Sequence, residues 1–199
     1  MSRPAGERFL LYSAEQLDPV LDRMAARAAG LLLGAEDPLL LGILRRGEPL
    51  AAALQRRLAA NHGLSVPRYA LRLKRYGDDL ALLHPQTELT ENAEFAARDL
   101  SRATVLIIDD VLYQGHSLVR VLAYLAQRGA RSIHAAVLAD RCVAQVPVRA
   151  AIVGLRLQVA PGDVVECSVP PYEDAWRIDL LRPLRPGEVS FAKSHGTGR

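Results

Sequence analysis

Two adjacent carboxylates, Asp109 and Asp110, close the apolar run Thr104-Val105-Leu106-Ile107-Ile108, and the chain continues Val111-Leu112-Tyr113-Gln114-Gly115-His116-Ser117. Gly115 lets the backbone turn and approach a ligand closely, and Ser117 offers a hydroxyl. Ser117 to Gln127 reads as an amphipathic helix closed by Gly129, and its first turn presents unpaired N–H groups with a positive dipole end. Together these make a phosphate cradle. The two carboxylates do not bind phosphate; they suit hydrogen bonds to vicinal hydroxyls, or stabilisation of positive charge growing on a sugar ring. A phosphate seat beside a diol seat fits a ribose 5-phosphate. The bland alternative is that the aspartates merely end a strand and Ser117 merely caps a helix. An Asp pair after a strand also occurs in response-regulator receiver domains, but near the start of the chain, whereas here about a hundred residues precede it.

The elements around that segment decide what faces it. Ala14 to Leu33 places Leu17, Val20, Leu21, Met24 and Ala28 near helical spacing. Leu39 to Leu44 is a short apolar run suited to a strand covered on both faces, broken by Arg45-Arg46-Gly47. Glu48 to Asn61 resumes helical periodicity, with Pro49 tolerated in the first turn. Val66 to Tyr76 alternates as a strand with one wet face, and Gly77 to Leu100 is a polar, irregular loop of a length that is more often functional than idle. Thr104 to Ile108, the following helix, and the apolar run Ser132 to Ala139 make a strand, helix, strand unit, hence a right-handed crossover in a parallel sheet. Ala151 to Val159 and Asp163 to Val169 read as further strands around Pro161-Gly162, with Trp176 to Leu181 as a last one. Ligands of open parallel sheets gather outside the carboxyl ends of the strands. Three loops leave such ends, Arg45-Arg46-Gly47, Asp109 to Ser117, and Asp140-Arg141, and they are expected to form one composite site.

The 199 residues, 50% hydrophobic and 24% charged, suit one α/β domain with a core needing no staple. Residues 1–13 read as an N-terminal extension, 14–183 as the domain, and 184–199, rich in Pro, Gly, Ser and basic residues, as a disordered tail. Cys142 and Cys167 are too few and too far apart for a zinc site or a disulfide framework, which points to a reducing compartment. No apolar run approaches the roughly 18 residues of a membrane span, and the first residues lack the apolar core of a signal peptide. A soluble, cytoplasmic protein with no membrane partner is expected. The formal charge of +3 suits an anionic small molecule or a weak nucleic-acid contact equally well.

Val105 to Ser117 resembles the phosphoribosyl pyrophosphate (PRPP) motif of type I phosphoribosyltransferases, and Asp109-Asp110-Val111-Leu112-Tyr113 is similar to the pyrimidine operon attenuator and uracil phosphoribosyltransferase family, PyrR. Leu41 to Ala51 resembles that family's pyrophosphate loop, Tyr76 to Leu80 its flexible loop, Ala136 to Arg141 its Ala-Val-Leu-Val-Asp-Arg strand, and Pro147 to Gly154 its base-side segment. These matches run in family order over residues 14 to about 183. The resemblance implies a type I phosphoribosyltransferase fold, with a central parallel sheet flanked by helices and a small C-terminal hood formed mainly by 147–183. It implies a homodimeric enzyme of pyrimidine salvage that moves ribose 5-phosphate from PRPP to a nucleobase, uracil first, and releases pyrophosphate with Mg²⁺. A purine base, hypoxanthine, guanine or xanthine, is the alternative substrate.

By the same resemblance, Asp109 and Asp110 hold the ribose hydroxyls and the developing cationic charge, and Tyr113, Gln114, Gly115, His116 and Ser117 hold the 5-phosphate. Arg45, Arg46 and Gly47 take the pyrophosphate, with Arg72 and Arg75 assisting, and a non-proline cis peptide falls at Leu44-Arg45. Arg suits that task because its fork matches phosphate oxygens. Ile152, Val153, Asp140 and Arg141 stand on the base side, and Mg²⁺ arrives on the pyrophosphate with no protein ligands assigned. Loop 77–100 closes over the reactants and excludes water. The departures are informative too. The family's Thr-Gly-Arg-Thr is here Gln114-Gly115-His116-Ser117, which trades a permanent cation for a titratable one. An aromatic residue of the base side is here Ile152. The family's RNA surface would include Arg23, Arg27 and Arg149, but phosphate contacts need several cations together, so catalysis is favoured over RNA regulation.

Overall fold

The computed structural model describes residues 6–73, 89–91 and 93–184. In chain order the elements are β1 (Gly6–Tyr12), α1 (Ala14–Leu32), β2 (Asp37–Leu44), α2 (Gly47–His62), β3 (Arg68–Leu73), β4 (Leu89–Glu91) and α3 (Ala93–Ala96). There follow β5 (Ala103–Leu112), α4 (His116–Gln127), β6 (Ser132–Asp140), β7 (Ile152–Arg156), β8 (Val164–Ser168) and β9 (Arg177–Pro183). Six strands form one sheet in the order β4-β3-β2-β5-β6-β7. The five from β3 to β7 are parallel, and β4 adds an antiparallel edge.

Burial follows the two-residue period of the strands. Leu40 of β2 and Leu106 and Ile108 of β5 point to the face covered by α1 and α2, where Leu17, Leu21, Met24, Leu50 and Leu54 are buried with them. Leu39, Leu41 and Ile43, with Val105 and Ile107, point to the opposite face, where Phe95 of α3 and Val121 and Leu125 of α4 pack. Both faces are thus dry, which is why these strands read as continuous apolar runs. Helix α1 starts where the Gln16 side chain accepts a hydrogen bond from the Ser13 amide at 2.9 Å, half of a capping box.

Three expectations change. Asp109 and Asp110 lie inside β5, since Asp109 pairs in register with Val137, Val111 with Ala139 and Leu112 with Asp140. The ladder to β6 carries the strand past the point where apolar character stops. The segment 77–100 is not wholly an irregular loop. Residues 77–88 and 92 lie outside the described residues, but β4 pairs with β3 and α3 buries Phe95 completely, 5.2 Å from the Tyr69 ring. Phe95 and Leu100 are both buried in the core, and Arg128 donates to the Phe95, Ala96 and Arg98 carbonyls, which anchors the end of this stretch. Of the proposed strand Val66 to Tyr76, Arg68–Leu73 is strand and 74–76 lie outside the described residues.

The small sheet has the order β1-β9-β8, antiparallel throughout. Its edge strand β1 comes from the stretch 1–13 set apart above as an extension. β7, within the segment 147–183 assigned to the hood, instead pairs with β6 and ends the large sheet. Val165, Cys167, Val169 and Ile178 join the core under α1 and α2, so hood and main sheet share one apolar interior. Of the tail 184–199, only Leu184 is described.

Replacing Phe95 by Ala leaves a cavity under β3 and is expected to cost about 3–5 kcal/mol of unfolding free energy. Guanidinium denaturation of the purified variant measures it, and a loss below about 1 kcal/mol would show that α3 does not belong to the core.

Candidate active site

The carboxyl ends of β2, β5 and β6 lie side by side, and the loops expected to act together leave the sheet there. Gly42 of β2 is level with Ile108 of β5, so Arg45 and Arg46 emerge beside Asp109 and Asp110. Gly47 makes this possible: a Cβ on it would stand 2.3 Å from the Ile108 carbonyl oxygen. The Leu44–Arg45 peptide is cis. Arg72 pairs in register with Leu44, which puts it at the same end on an exposed position of β3. Arg75 lies outside the described residues.

Charges of both signs meet here. Arg46 donates from Nη2 to Glu173 Oε1 at 2.5 Å and from Nε to Oε2 at 3.4 Å. That hydrogen bond to Glu173, with the charges of Glu173 and Asp110, holds the Arg46 guanidinium above its ordinary pKa against partial burial. Arg45 lies over the Tyr172 ring, 4.8 Å from its centroid. Beneath them burial, with the charge of Asp110, pushes the Cys167 thiol well above its usual value, so it stays neutral. Glu173, Tyr172 and Cys167 belong to β8 and the turn after it; neither Glu173 nor Tyr172 stands out in the sequence, and Cys167 does so only as a cysteine. The Pro170-Pro171 pair behind an apolar run marks the turn, but nothing local says where it folds.

The loop after β5 is shaped from behind. Gly115 has φ +88°, the left-handed region that favours glycine, and caps α4. A Cβ on it would stand 2.7 Å from a methyl of Val146 and from one of Val148. The Gln145 amide donates to the Gln114 carbonyl at 3.0 Å. Helix α4 begins at His116, one residue before the expected start, and His116 Nε2 is buried with no hydrogen-bond partner among the described residues. Ser117 is half-buried and Tyr113 exposed.

The residues expected on the base side are not presented as a group. Ile152 is 1% exposed and packed in the core with α1, because its side chain points to the dry face of β7. Val153 is half-buried on the other face. Arg141, 4% exposed, lies with its guanidinium 4.5 Å above the Tyr113 ring and donates to the Ala160 carbonyl at 3.4 Å. The Asp140 carboxylate accepts the Cys142 amide at 2.8 Å, which closes a turn where Cys142 has φ +57°. Arg141 therefore braces the loop after β5 against the hood, while Asp140 shapes its own turn.

A parallel sheet with an acidic pair, a glycine-bent loop onto a helix and an arginine loop at one edge defines a phosphoribosyltransferase. The chain belongs to the phosphoribosyl transferase domain family, which matches residues 13–175. Within that family the likeness runs to PyrR. The bifunctional protein PyrR of Deinococcus radiodurans is 32% identical over 174 residues, 87% of this chain and 94% of that one. The bifunctional protein PyrR of Thermus aquaticus is 32% identical over 171 residues, 85% and 93% of the two chains. Among solved structures, a hypoxanthine phosphoribosyltransferase from Trypanosoma cruzi in complex with the product IMP superposes with a TM-score of 0.69 over 92% of this chain and 94% of that one, at 20% identity. That likeness is one of fold.

Replacing Gly115 by Ala forces a side chain into a left-handed backbone and against two valine methyls. It is expected to cost about 1–2 kcal/mol from the backbone alone, read as a lowered Tm, and to weaken binding of PRPP. A variant with unchanged Tm and PRPP affinity would show that the loop tolerates another path.

Proposed function

We propose that this chain transfers ribose 5-phosphate from PRPP to uracil, giving UMP and pyrophosphate. The observation that supports this best is the succession, at one sheet edge, of Asp109-Asp110, the Gly115 bend and the N-terminus of α4, with the Arg45–Gly47 loop packed against it. The amides from Gln114 to Ser117 and the Ser117 hydroxyl receive the 5-phosphate, where the dipole of α4 favours negative charge. Asp109 and Asp110 take the ribose hydroxyls and face the sugar as it gains oxocarbenium character. Arg46 and the backbone around Gly47 receive the departing pyrophosphate.

The rate comes from orientation and from charges fixed before the reaction, so no covalent nucleophile is required. Mg²⁺ carried by PRPP needs only one or two protein carboxylates besides phosphate oxygens, and Asp109 and Asp110 are donors of that kind. When bound, the ion neutralises charge on the leaving pyrophosphate. The base meets the hood side of the site through backbone groups near Val153, since the Ile152 side chain is committed to the core. RNA takes second place in this reading: Arg27 donates to the Ala151 carbonyl at 2.8 Å, which leaves Arg23 and Arg149 as a thin basic surface. No described helix is long and apolar enough to cross a membrane. In the proposed reading the enzyme works in the cytoplasm as a homodimer, as the resemblance to PyrR implies.

Pyrophosphate release is measured with PRPP, Mg²⁺ and a panel of bases. Release with uracil alone is expected. Release with hypoxanthine, guanine or xanthine reassigns the base, and silence with every base, coupled to nucleotide-dependent RNA retention, replaces the enzyme by a sensor. Asp110→Asn is expected to lower kcat by about a hundredfold or more, the scale of removing one preorganised charge from a transition state. Near-normal turnover would remove Asp110 from the reaction.

A further inference from the structure

Glu173 and its neighbours meet the pyrophosphate loop from outside the sheet, and their contacts are unusually well made. The turn between β8 and β9 doubles back on itself: the Tyr172 and Glu173 amides both donate to the Val169 carbonyl, at 3.1 and 3.3 Å. The Val169 amide in turn donates to Glu173 Oε2 at 2.8 Å. This fixes the Glu173 side chain, 13% exposed, so that its carboxylate meets the fork of Arg46. One residue earlier on each side, Arg45 lies over Tyr172. Both arginines of the loop are therefore engaged by one short turn.

Glu173 occupies the Nε and Nη2 edge of the Arg46 fork, so a phosphate that docks on that edge must displace the carboxylate. A diphosphate meets Arg46 and the backbone around Gly47 with two linked phosphoryl groups, whereas orthophosphate offers one, so the diphosphate displaces the Glu173 carboxylate more readily.

We propose that Glu173 is a positioning residue that competes with pyrophosphate for Arg46, so that the seat opens only to a diphosphate able to displace it. The competition rests on the pyrophosphate seat proposed above and adds a selection step to it. PRPP and pyrophosphate push the turn aside; orthophosphate does not. The turn also carries a reporter, because Trp176, the one tryptophan of the chain, lies three residues beyond Glu173 and packs against the core beneath α1 and α2.

The test pairs E173Q, which keeps shape and the acceptor for the Val169 amide but removes the charge, with the native protein. Inorganic pyrophosphate with Mg²⁺ is titrated into each by calorimetry, orthophosphate likewise, and PRPP kinetics are measured. E173Q is expected to bind pyrophosphate about tenfold more tightly, the order that follows from removing a competing charge beside an arginine. Its KM for PRPP should fall while kcat changes far less, and its preference for pyrophosphate over orthophosphate should shrink. In the native protein, pyrophosphate should change Trp176 emission and orthophosphate should not; if E173Q does not fold, this titration decides. Equal pyrophosphate affinity in both proteins with unaltered Trp176 emission overturns the competition and leaves the proposed activity standing. No pyrophosphate binding in either protein, with no product from PRPP, overturns the activity and the competition together.

Discussion

Gly47 lies against β5 at a separation that only a hydrogen atom permits, its would-be Cβ 2.3 Å from the Ile108 carbonyl oxygen and 3.0 Å from the Asp109 Cα. The rest of the site follows from that contact. Helix α2 starts directly beside the acidic pair, and the arginine loop before it is carried along. The cations and carboxylates assigned above to diphosphate and sugar in the proposed reaction end in one field, close enough for Arg46 to feel Asp110. A side chain at position 47 would separate the two loops and with them the two halves of the proposed substrate.

Opposite charges brought so near would cancel if they could pair freely. The backbone keeps Asp109 and Asp110 on a strand whose ladder to β6 holds them in place, while the fork of Arg46 turns to the hood and finds Glu173. The hood reaches both ends of the proposed site: through Glu173 and Tyr172 it meets the Arg45–Gly47 loop, and through Ala160 and Arg141 it meets Tyr113 in the loop after β5. Both ends of the site are braced by one small sheet, and that sheet shares its apolar interior with α1 and α2.

Much of this was legible in the chain. The apolar runs at Leu39 to Leu44 and Thr104 to Ile108 announce strands with two dry faces, and Leu17, Val20, Leu21, Met24 and Ala28 announce α1, because those patterns are set by neighbours in sequence. The segment 89–100 is not legible as ordered because its order comes from distant partners: Phe95 packs beside Tyr69, Leu100 is buried in the same core, and Arg128 binds its carbonyls. Ile152 was placed near a ligand for its position before Val153-Gly154, but in a strand the side chain's face is set by register, and register puts it in the core. Arg141 shows the same limit: the resemblance puts it on the base side, yet the Tyr113 ring and the Ala160 carbonyl receive it in the interior.

By itself the sequence determined the parallel sheet, the acidic pair, the glycine-bent loop and the family, all of which live in contiguous stretches where spacing and residue type act over a few positions. Tertiary structure alone decided that β1 completes the hood, that Glu173 meets Arg46 across 127 positions of chain, and that Arg141 braces a loop. Such pairings join groups whose separation along the chain carries no information about their separation in space, so only the packed molecule reveals them.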